Sequence, residues 1–155
     1  MKVVLQRVKR ASVMVNGKVT GQIEKGIVAL IGVAPDDDET VLRAVAEKMT
    51  GLRIFEDDEG KMNLSLNSVN GKILAISQFT LFADCRKGKR PSFSGAAGGQ
   101  IAKSMYEKFV SICDELSGKK TETGVFGEDM IIDLTADGPV TIILNSDELN
   151  ISGRQ

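Results

Sequence analysis

The chain has 155 residues, of which 42% are hydrophobic and 26% charged, with 20 basic and 21 acidic side chains. This size and balance predict one globular domain over residues 1–155, large enough to bury a core without a disulfide or a metal. The chain contains no histidine. That excludes Ser-His and Cys-His hydrolytic mechanisms and any metal site that depends on imidazole.

The thiols and the hydropathy pattern indicate where the protein works. Cys85 and Cys113 are too far apart in sequence to suggest a thiolate zinc site, and reduced thiols are the simplest interpretation. No apolar run approaches the roughly 18 residues of a membrane span, and no signal-like region follows Met1. We therefore expect a cytoplasmic protein with no metal and no cofactor.

Positive charge is clustered in two stretches, residues 1–23, which contain no acidic side chain, and residues 86–90, whereas the charged residues over 128–155 are mostly acidic. A net charge of −1 argues against a general nucleic-acid coat but allows one local phosphate-binding surface. On charge alone, a solvated loop is the simpler interpretation. The cations of the second stretch are Arg86, Lys87, Lys89 and Arg90.

The first third of the chain predicts strands and one helix. Residues 3–8 form a strand pattern, and residues 12–20 form a hairpin pattern because Asn-Gly accepts the positive φ angles of a tight turn. Residues 27–33 are apolar on both faces, which predicts a central buried strand. Acidic residues then open a helix that ends near Gly51. Its predicted inner face consists of Val41, Leu42, Val45 and Met49.

The remaining elements alternate strands with one long helix. We expect strands over 52–55, 62–66 and 72–82, then a basic loop over 84–99. Three further strands close the chain, with a turn at 135–139 joining the last two. Together these elements predict an α+β fold with a largely antiparallel or mixed, curved sheet and two main helices. The long helix is predicted over 100–116, with an inner face of Ile101, Met105, Phe109, Ile112, Cys113 and Leu116, and the closing strands over 121–126, 130–134 and 140–144.

Two segments break their local patterns. The apolar strand over 72–82 carries Ser77, Gln78 and Thr80, and strand alternation would place Ser77 with Phe79 on one face. A Gly-Pro pair at 138–139 interrupts the closing apolar strands. From pattern alone, a half-exposed strand and an ordinary turn are the simpler interpretations.

Both segments belong to a series of motifs along nearly the whole chain. The motifs are Val4-Leu-Gln-Arg-Val8, Leu52-Arg-Ile-Phe-Glu-Asp57, Gly60-Lys-Met-Asn63, Ser77-Gln-Phe-Thr-Leu81, Arg86-Lys-Gly-Lys-Arg-Pro-Ser-Phe93, Thr123-Gly-Val-Phe-Gly127 and Gly138-Pro-Val-Thr141. In these motifs the chain resembles the D-aminoacyl-tRNA deacylase family, editing enzymes that cleave D-amino acids from tRNA. The Ser-Gln-Phe-Thr and Gly-Pro-Val-Thr pair is specific to that family.

The resemblance implies a compact, barrel-like α+β fold and a homodimer with an active site at each subunit boundary. It implies that residues 77–80 line the pocket for the terminal adenosine and its aminoacyl group. Gly138 and Pro139, joined by a cis peptide bond, would reach into the partner's pocket, with Arg7 holding that segment and Met130 packing beside the site. The cations at 86–90 would contact acceptor-stem phosphates.

The mechanism leaves two alternatives. Thr80 is the nucleophile by residue type, but no base lies within its motif. Because an aminoacyl ester is already activated, we favour attack by water, with backbone N–H groups near Phe79 and Thr80 stabilising the oxyanion and the tRNA 2′-hydroxyl assisting. Covalent catalysis by Thr80 is the alternative. A rigid backbone wedge would exclude L side chains while letting D-amino acids and glycine pass, so glycyl-tRNA is a further expected substrate.

Two other functions stay open at this point. A related deacylase that clears a small L-amino acid from the wrong tRNA is disfavoured because its motifs differ from Ser-Gln-Phe-Thr. A non-catalytic tRNA-binding dimer would bind tRNA without turning it over.

Overall fold

The computed structural model describes residues 1–151. The chain begins with three strands, continues through a helix and a small two-stranded ribbon, and then returns to the main sheet around a second helix. The elements are β1 (Lys2–Val15), β2 (Lys18–Ile23), β3 (Gly26–Gly32), α1 (Glu39–Gly51), β4 (Phe55–Glu56), β5 (Met62–Leu64), β6 (Lys72–Ser77), a 3-10 helix (Phe79–Phe82), α2 (Gly99–Ser117), β7 (Glu122–Thr123), β8 (Ile131–Asn145) and a 3-10 turn (Ser146–Glu148).

The long strand β1 organises the main sheet. Its first half pairs antiparallel with β3, its second half pairs antiparallel with β2, and β8 runs antiparallel along its other edge. The sheet continues from β3 through parallel β6 to parallel β7. The predicted α+β class with a mixed sheet is confirmed.

The two ends of the sheet approach each other, which nearly closes it into a barrel. The Thr20 hydroxyl of β2 donates to the Thr123 carbonyl of β7 at 3.4 Å. A Cβ on Gly21 would lie 2.6 Å from that same carbonyl oxygen, so only glycine allows β2 to come this close. The barrel-like shape implied by the family resemblance is therefore present.

Burial confirms the predicted first helix and central strand. The side chain of Asp38 caps α1 by accepting from the Val41 N–H at 2.9 Å. The inner face of α1 is fully buried, and β3 is buried along almost its whole length. The hairpin turn at Asn16 and Gly17 has φ angles of 49° and 76°, as its sequence predicted. Neither α-helix within residues 1–151 is both long and apolar enough to cross a bilayer.

The predicted inner face of α2 is partly wrong. Ile101 is 53% exposed, whereas Ala102 and Tyr106 are buried beside Phe109 and Cys113. The Tyr106 hydroxyl needs a buried acceptor, which it finds in the Ala75 carbonyl at 2.8 Å, and this contact favours the observed face.

The predicted strand over 72–82 is too long. It ends at Ser77, because its partner β3 ends at Gly32, and the Gln78 N–H makes the last cross-strand bond to the Ile31 carbonyl at 2.7 Å. The chain then turns into the 3-10 helix. The expected alternation of residues 77–80 between two strand faces is therefore wrong.

The closing segments also differ from the prediction. Residues 131–145 form one continuous strand along β1, not two strands joined by a turn. The Gly-Pro pair lies in a bulge of this strand. Ala136 pairs with Val8 and Thr141 pairs with Gln6, so four residues of β8 lie opposite the single residue Arg7 of β1. The predicted strand over 52–55 overlaps the two-residue β4 only at Phe55, and the predicted strand over 121–126 is reduced to the two residues of β7.

Candidate active site

A cavity of about 550 Å³ opens where β3 and β6 end beside the start of α2. Its remaining wall is the segment between β7 and β8. The lining combines apolar, aromatic and a few polar side chains, which is the usual composition of a site for an organic ligand. The lining residues are Ile31, Val33, Ile76, Ser77, Gln78, Phe79, Ala97, Gly99, Ala102, Tyr106, Phe126, Gly127, Glu128, Asp129, Met130 and Ile132.

The predicted site residues 77–80 do not all face this cavity. Ser77, Gln78 and Phe79 line it, whereas Thr80 is not among the lining residues of the described chain. The Thr80 hydroxyl instead accepts a hydrogen bond from the Gln78 side-chain amide. The side chains of Gln78 and Thr80 are therefore hydrogen-bonded to each other, and Ser77 and Phe79 line the cavity without taking part in that bond.

Two backbone N–H groups follow directly after Gln78, a residue of the cavity wall. The Gln78 N–H is already bonded to Ile31, and the first bond inside the 3-10 turn runs from the Leu81 N–H to the Gln78 carbonyl at 3.3 Å. The N–H groups of Phe79 and Thr80 precede that bond, so they have no acceptor within the turn. These are the two N–H groups at which the sequence predicted oxyanion stabilisation.

An aromatic pair stands at the rim of the cavity. Phe79 is 56% exposed and meets Phe93 edge to face, with 5.1 Å between ring centroids. Phe93 comes at the end of the basic loop, so this pair joins the loop to the cavity wall. Exposed aromatic rings of this kind are suited to stacking against unpaired bases of RNA.

The four cations of the loop are exposed to solvent. Arg86 forms a two-point ion pair with Asp84, at 2.7 and 2.8 Å, and this pair holds the pKa of the Asp84 carboxyl below its usual range. Backbone hydrogen bonds between Asp84 and Ser92 close the loop at its base. The other three cations, Lys87, Lys89 and Arg90, project from the closed loop.

Arg7 is hydrogen-bonded to Asp137, the residue that precedes the Gly-Pro pair. Arg7 is only 4% exposed, and its Nε donates to the Asp137 carbonyl at 3.0 Å while its Nη1 donates to the Ile54 carbonyl at 2.6 Å. The Asp137 carboxylate lies 3.4 Å from Nε, which offsets the buried charge. The Gly138–Pro139 peptide bond is cis, and Gly138 has a φ of 123°.

Removing the Arg7 side chain should destabilise the fold. Arg7→Ala would leave the Ile54 carbonyl and the Asp137 carboxylate without their donor, and we expect a loss of roughly 3–5 kcal/mol in the free energy of unfolding. Urea denaturation measures it. Arg10→Ala is the matched control, because the exposed Arg10 donates to the Thr135 hydroxyl and to no other side chain within residues 1–151, and a change within about 0.5 kcal/mol is expected there. Equal losses in the two variants would contradict this account of Arg7.

Within one chain the Gly-Pro segment lies outside the cavity. Gly138 and Pro139 are exposed and are not among its lining residues. Met130, by contrast, lines the cavity and packs against the barrel interior. Of the predicted substrate-binding residues, the structure thus brings only Met130 to the same cavity as Ser77, Gln78 and Phe79.

Sequence reasoning missed the α2 side of the cavity. Ala102 and Tyr106 form that wall, and Phe126 packs against the Tyr106 ring with 5.8 Å between centroids. Burial raises the pKa of the Tyr106 hydroxyl well above its usual range, so it stays protonated and keeps its bond to Ala75. The sequence feature that could have indicated this wall is the one tyrosine, Tyr106, on an otherwise apolar face of the helix.

The two cysteines are both free thiols. Cys113 is buried in the core, which raises the pKa of its thiol to about 12. Cys85 is exposed beside the loop cations. Neither thiol lines the cavity in the described part of the chain.

Residues 4–145 match the family described as D-Tyr-tRNA(Tyr) deacylase. A D-aminoacyl-tRNA deacylase of Desulfatibacillum aliphaticivorans is 56% identical over 146 residues, which cover 94% of this chain and 99% of that protein. A D-aminoacyl-tRNA deacylase of Thermosipho africanus (strain TCF52B) is 52% identical over 146 residues, covering 94% and 97%. The chain therefore belongs to the D-Tyr-tRNA(Tyr) deacylase family.

Two solved structures share this fold. A c-Myc DNA unwinding element binding protein has a TM-score of 0.87 at 36% identity, with 94% of this chain and 98% of that chain covered. A probable eukaryotic D-amino acid tRNA deacylase has a TM-score of 0.80 at 18% identity, covering 92% and 97%. At that identity, the second likeness concerns the fold alone.

Proposed function

We propose that this protein hydrolyses the ester bond of D-aminoacyl-tRNA and releases the free D-amino acid and tRNA. The observation that carries the proposal is the cavity wall formed by Ser77, Gln78 and Phe79, the family's specific motif, at the ends of β3 and β6. Family membership over residues 4–145 supports the same activity. The role is chiral proofreading, because D-amino acids are removed before they reach the ribosome. The enzyme works in the cytoplasm, where aminoacyl-tRNA is made and used.

The active unit is a homodimer in which each cavity is completed by the partner's Gly-Pro segment. Two features support this arrangement. Arg7 donates to Asp137, which precedes the pair, whereas Gly138 and Pro139 are exposed and do not line the cavity of their own chain. They also lie on β8, whose outer edge pairs with no strand within residues 1–151 and carries the exposed apolar side chains Ile131 and Ile143. Such an edge is suited to a protein contact.

The Gly-Pro segment would select the D configuration by sterics. Its backbone carbonyls meet the substrate α-amino group, and the rigid chain leaves no space for an L side chain. A D side chain points away, and glycine has none to exclude, so glycyl-tRNA is also hydrolysed. Rejection by fixed backbone can exceed the roughly 1–3 kcal/mol that a side-chain pocket gives against one small group.

The reaction is direct attack by water on the ester carbonyl carbon. The water oxygen forms the new C–O bond, the bond to the tRNA 3′ oxygen breaks, and that oxygen leaves with a proton. The N–H groups of Phe79 and Thr80 stabilise the oxyanion, and the neighbouring 2′-hydroxyl of the tRNA assists the proton transfer. The Thr80 hydroxyl accepts from the Gln78 side-chain amide, which cannot take its proton, and no base within residues 1–151 is hydrogen-bonded to it, so the hydroxyl is not activated as a nucleophile.

The basic loop contacts the acceptor stem. Lys87, Lys89 and Arg90 are exposed on a loop that joins the cavity rim through Phe93, so a tRNA end in the cavity would bring its phosphates near them. Arg86 adds charge but is partly neutralised by Asp84.

Hydrolysis of D-tyrosyl-, L-tyrosyl- and glycyl-tRNA by the purified protein tests the proposed function. We expect turnover of the D-tyrosyl and glycyl substrates and at least about 100-fold slower turnover of the L-tyrosyl substrate, measured by release of labelled amino acid. Binding of all three without turnover would identify a non-catalytic tRNA-binding protein. L-alanyl-tRNA is assayed in parallel, and its turnover in preference to the D-tyrosyl substrate would identify the related L-specific deacylase. Either result would overturn the proposal.

A further inference from the structure

The motif at residues 123–127 contains a glycine that the proposed chemistry does not use. Thr123 pairs with Ala75, so Gly124 follows β7 directly beside Ile76, a residue of the cavity wall. The φ angle of Gly124 lies outside the left-handed region, so its backbone suits any amino acid. The reason for glycine at this position is therefore space.

Only one neighbour prevents a larger residue at position 124. A Cβ built on Gly124 would lie 3.4 Å from Val13 Cγ2 and 3.6 Å from Ile76 Cδ1, which are ordinary contacts. The same Cβ would collide with the Met130 sulfur, far inside contact distance. The space that a side chain at position 124 would occupy is thus taken by the thioether of Met130.

Met130 lies between Gly124 and the cavity. Met130 lines the cavity, whereas Gly124 is not a lining residue and faces a separate depression on the other side of Tyr106 and Phe126. A methyl group at position 124 would therefore push the thioether toward the cavity. Methionine is flexible enough to move without breaking the fold.

The wall that contains Met130 suits a flat aromatic group. Tyr106 and Phe126 line the same cavity as Met130, and a thioether in that lining can make a favourable sulfur–aromatic contact with an aromatic ligand. The group common to every aminoacyl-tRNA that fits this description is the terminal adenine, which stacks on aromatic and apolar side chains.

We propose that Gly124 is a positioning residue that sets the width of the cavity for the terminal adenosine by giving the Met130 thioether a place to lie. This inference rests on the proposed function, because it takes aminoacyl-tRNA as the substrate. It concerns the part of the substrate that all aminoacyl-tRNAs share, so its effect is independent of the amino acid.

The test compares wild type with Gly124→Ala on D-tyrosyl- and D-alanyl-tRNA. We expect KM to rise about ten-fold for both substrates, with kcat within about two-fold of wild type. Binding of adenosine 5′-monophosphate, measured by calorimetry, should weaken by a similar factor. The double variant Gly124→Ala/Met130→Ala lacks the colliding sulfur. Its KM and its affinity for adenosine 5′-monophosphate should therefore equal those of Met130→Ala alone. Gly51→Ala is the control, because a Cβ there has open space and lies at the end of α1.

Different outcomes identify different errors. A loss in kcat with unchanged KM, unequal losses for the two substrates, or no restoration in the double variant would overturn the role of Gly124. If Gly124→Ala does not fold but the double variant folds and binds the nucleotide, the coupling to Met130 stands. If neither folds, the collision is not with Met130 and the inference is wrong. A wild-type protein that binds the nucleotide but hydrolyses neither substrate would refute the proposed function instead.

Discussion

An equimolar mixture of two inactive variants, Gly138→Ala and Gly99→Phe, is expected to recover about one quarter of the wild-type deacylase activity. In a heterodimer, the subunit with the intact cavity receives the intact Gly-Pro segment of its partner, and the other site carries both defects. Random pairing makes about half of the dimers heterodimers, each with one working site of two. The proteins are mixed by joint refolding, and hydrolysis of D-tyrosyl-tRNA is measured.

The two substitutions damage different parts of the site. At Gly138, the φ of 123° strains any L residue, and an added Cβ would lie 2.9 Å from Val140 and 3.3 Å from the Arg7 guanidinium. At Gly99, a Cβ has no neighbour within 4 Å, so a phenylalanine fits there and fills the cavity that Gly99 lines. Each variant alone should therefore lose nearly all activity.

The complementation result depends on sites shared between subunits. A mixture that stays inactive while sedimentation shows heterodimers would contradict completion of the cavity by the partner. Full activity of a monomer at micromolar concentration would contradict the dimer itself. Refolding each variant alone controls for activity gained by the procedure.

Replacing the terminal 2′-hydroxyl of the tRNA by hydrogen should cost more than removing the Thr80 hydroxyl. With backbone N–H groups as the oxyanion donors, Thr80→Ala leaves both donors in place, and we expect a loss in kcat below about ten-fold. The 2′-deoxy substrate lacks the group that assists the leaving oxygen, and a loss on the order of 100-fold or more is expected. Single-turnover rates with D-tyrosyl-tRNA measure both effects.

The alternative mechanism gives the opposite pattern. If Thr80 were the nucleophile, Thr80→Ala would abolish turnover, and rapid quenching of the wild type would trap an acyl group on Thr80, visible by mass spectrometry. Thr80→Ser is a matched variant, since it keeps the hydroxyl that accepts from Gln78 and should remain near wild type under either mechanism.

Local sequence patterns correctly predicted the elements in which the hydrophobic pattern of the residues matches their burial in the fold. The central strand β3 is apolar on both faces and buried on both, and the inner face of α1 follows from its helical spacing. The Asn-Gly turn formed where its φ requirements predicted it. In these segments the local preference and the tertiary environment agree, so the pattern was sufficient.

Patterns failed where a partner strand decided the outcome. Gly-Pro is an ordinary turn signal, but the long antiparallel pairing with β1 on both sides keeps β8 continuous and confines the pair to a bulge. Strand β6 stops at Ser77 because β3 stops at Gly32, a fact that no window around residue 77 contains. The exposed Ile101 shows the same limit, since the face of α2 that is buried depends on tertiary contacts such as that of Tyr106 with Ala75.

The sequence by itself determined the fold class, the family motifs and the exclusion of histidine chemistry, because these depend on residue identity and short spacing. Only the tertiary structure decided which of those residues share a cavity. It joined Ser77, Gln78 and Phe79 to Met130, turned Thr80 toward Gln78, and placed the Gly-Pro segment outside. The physical reason is that a cavity forms where separate strands end beside a helix, and those ends are set by pairing between residues far apart in the chain.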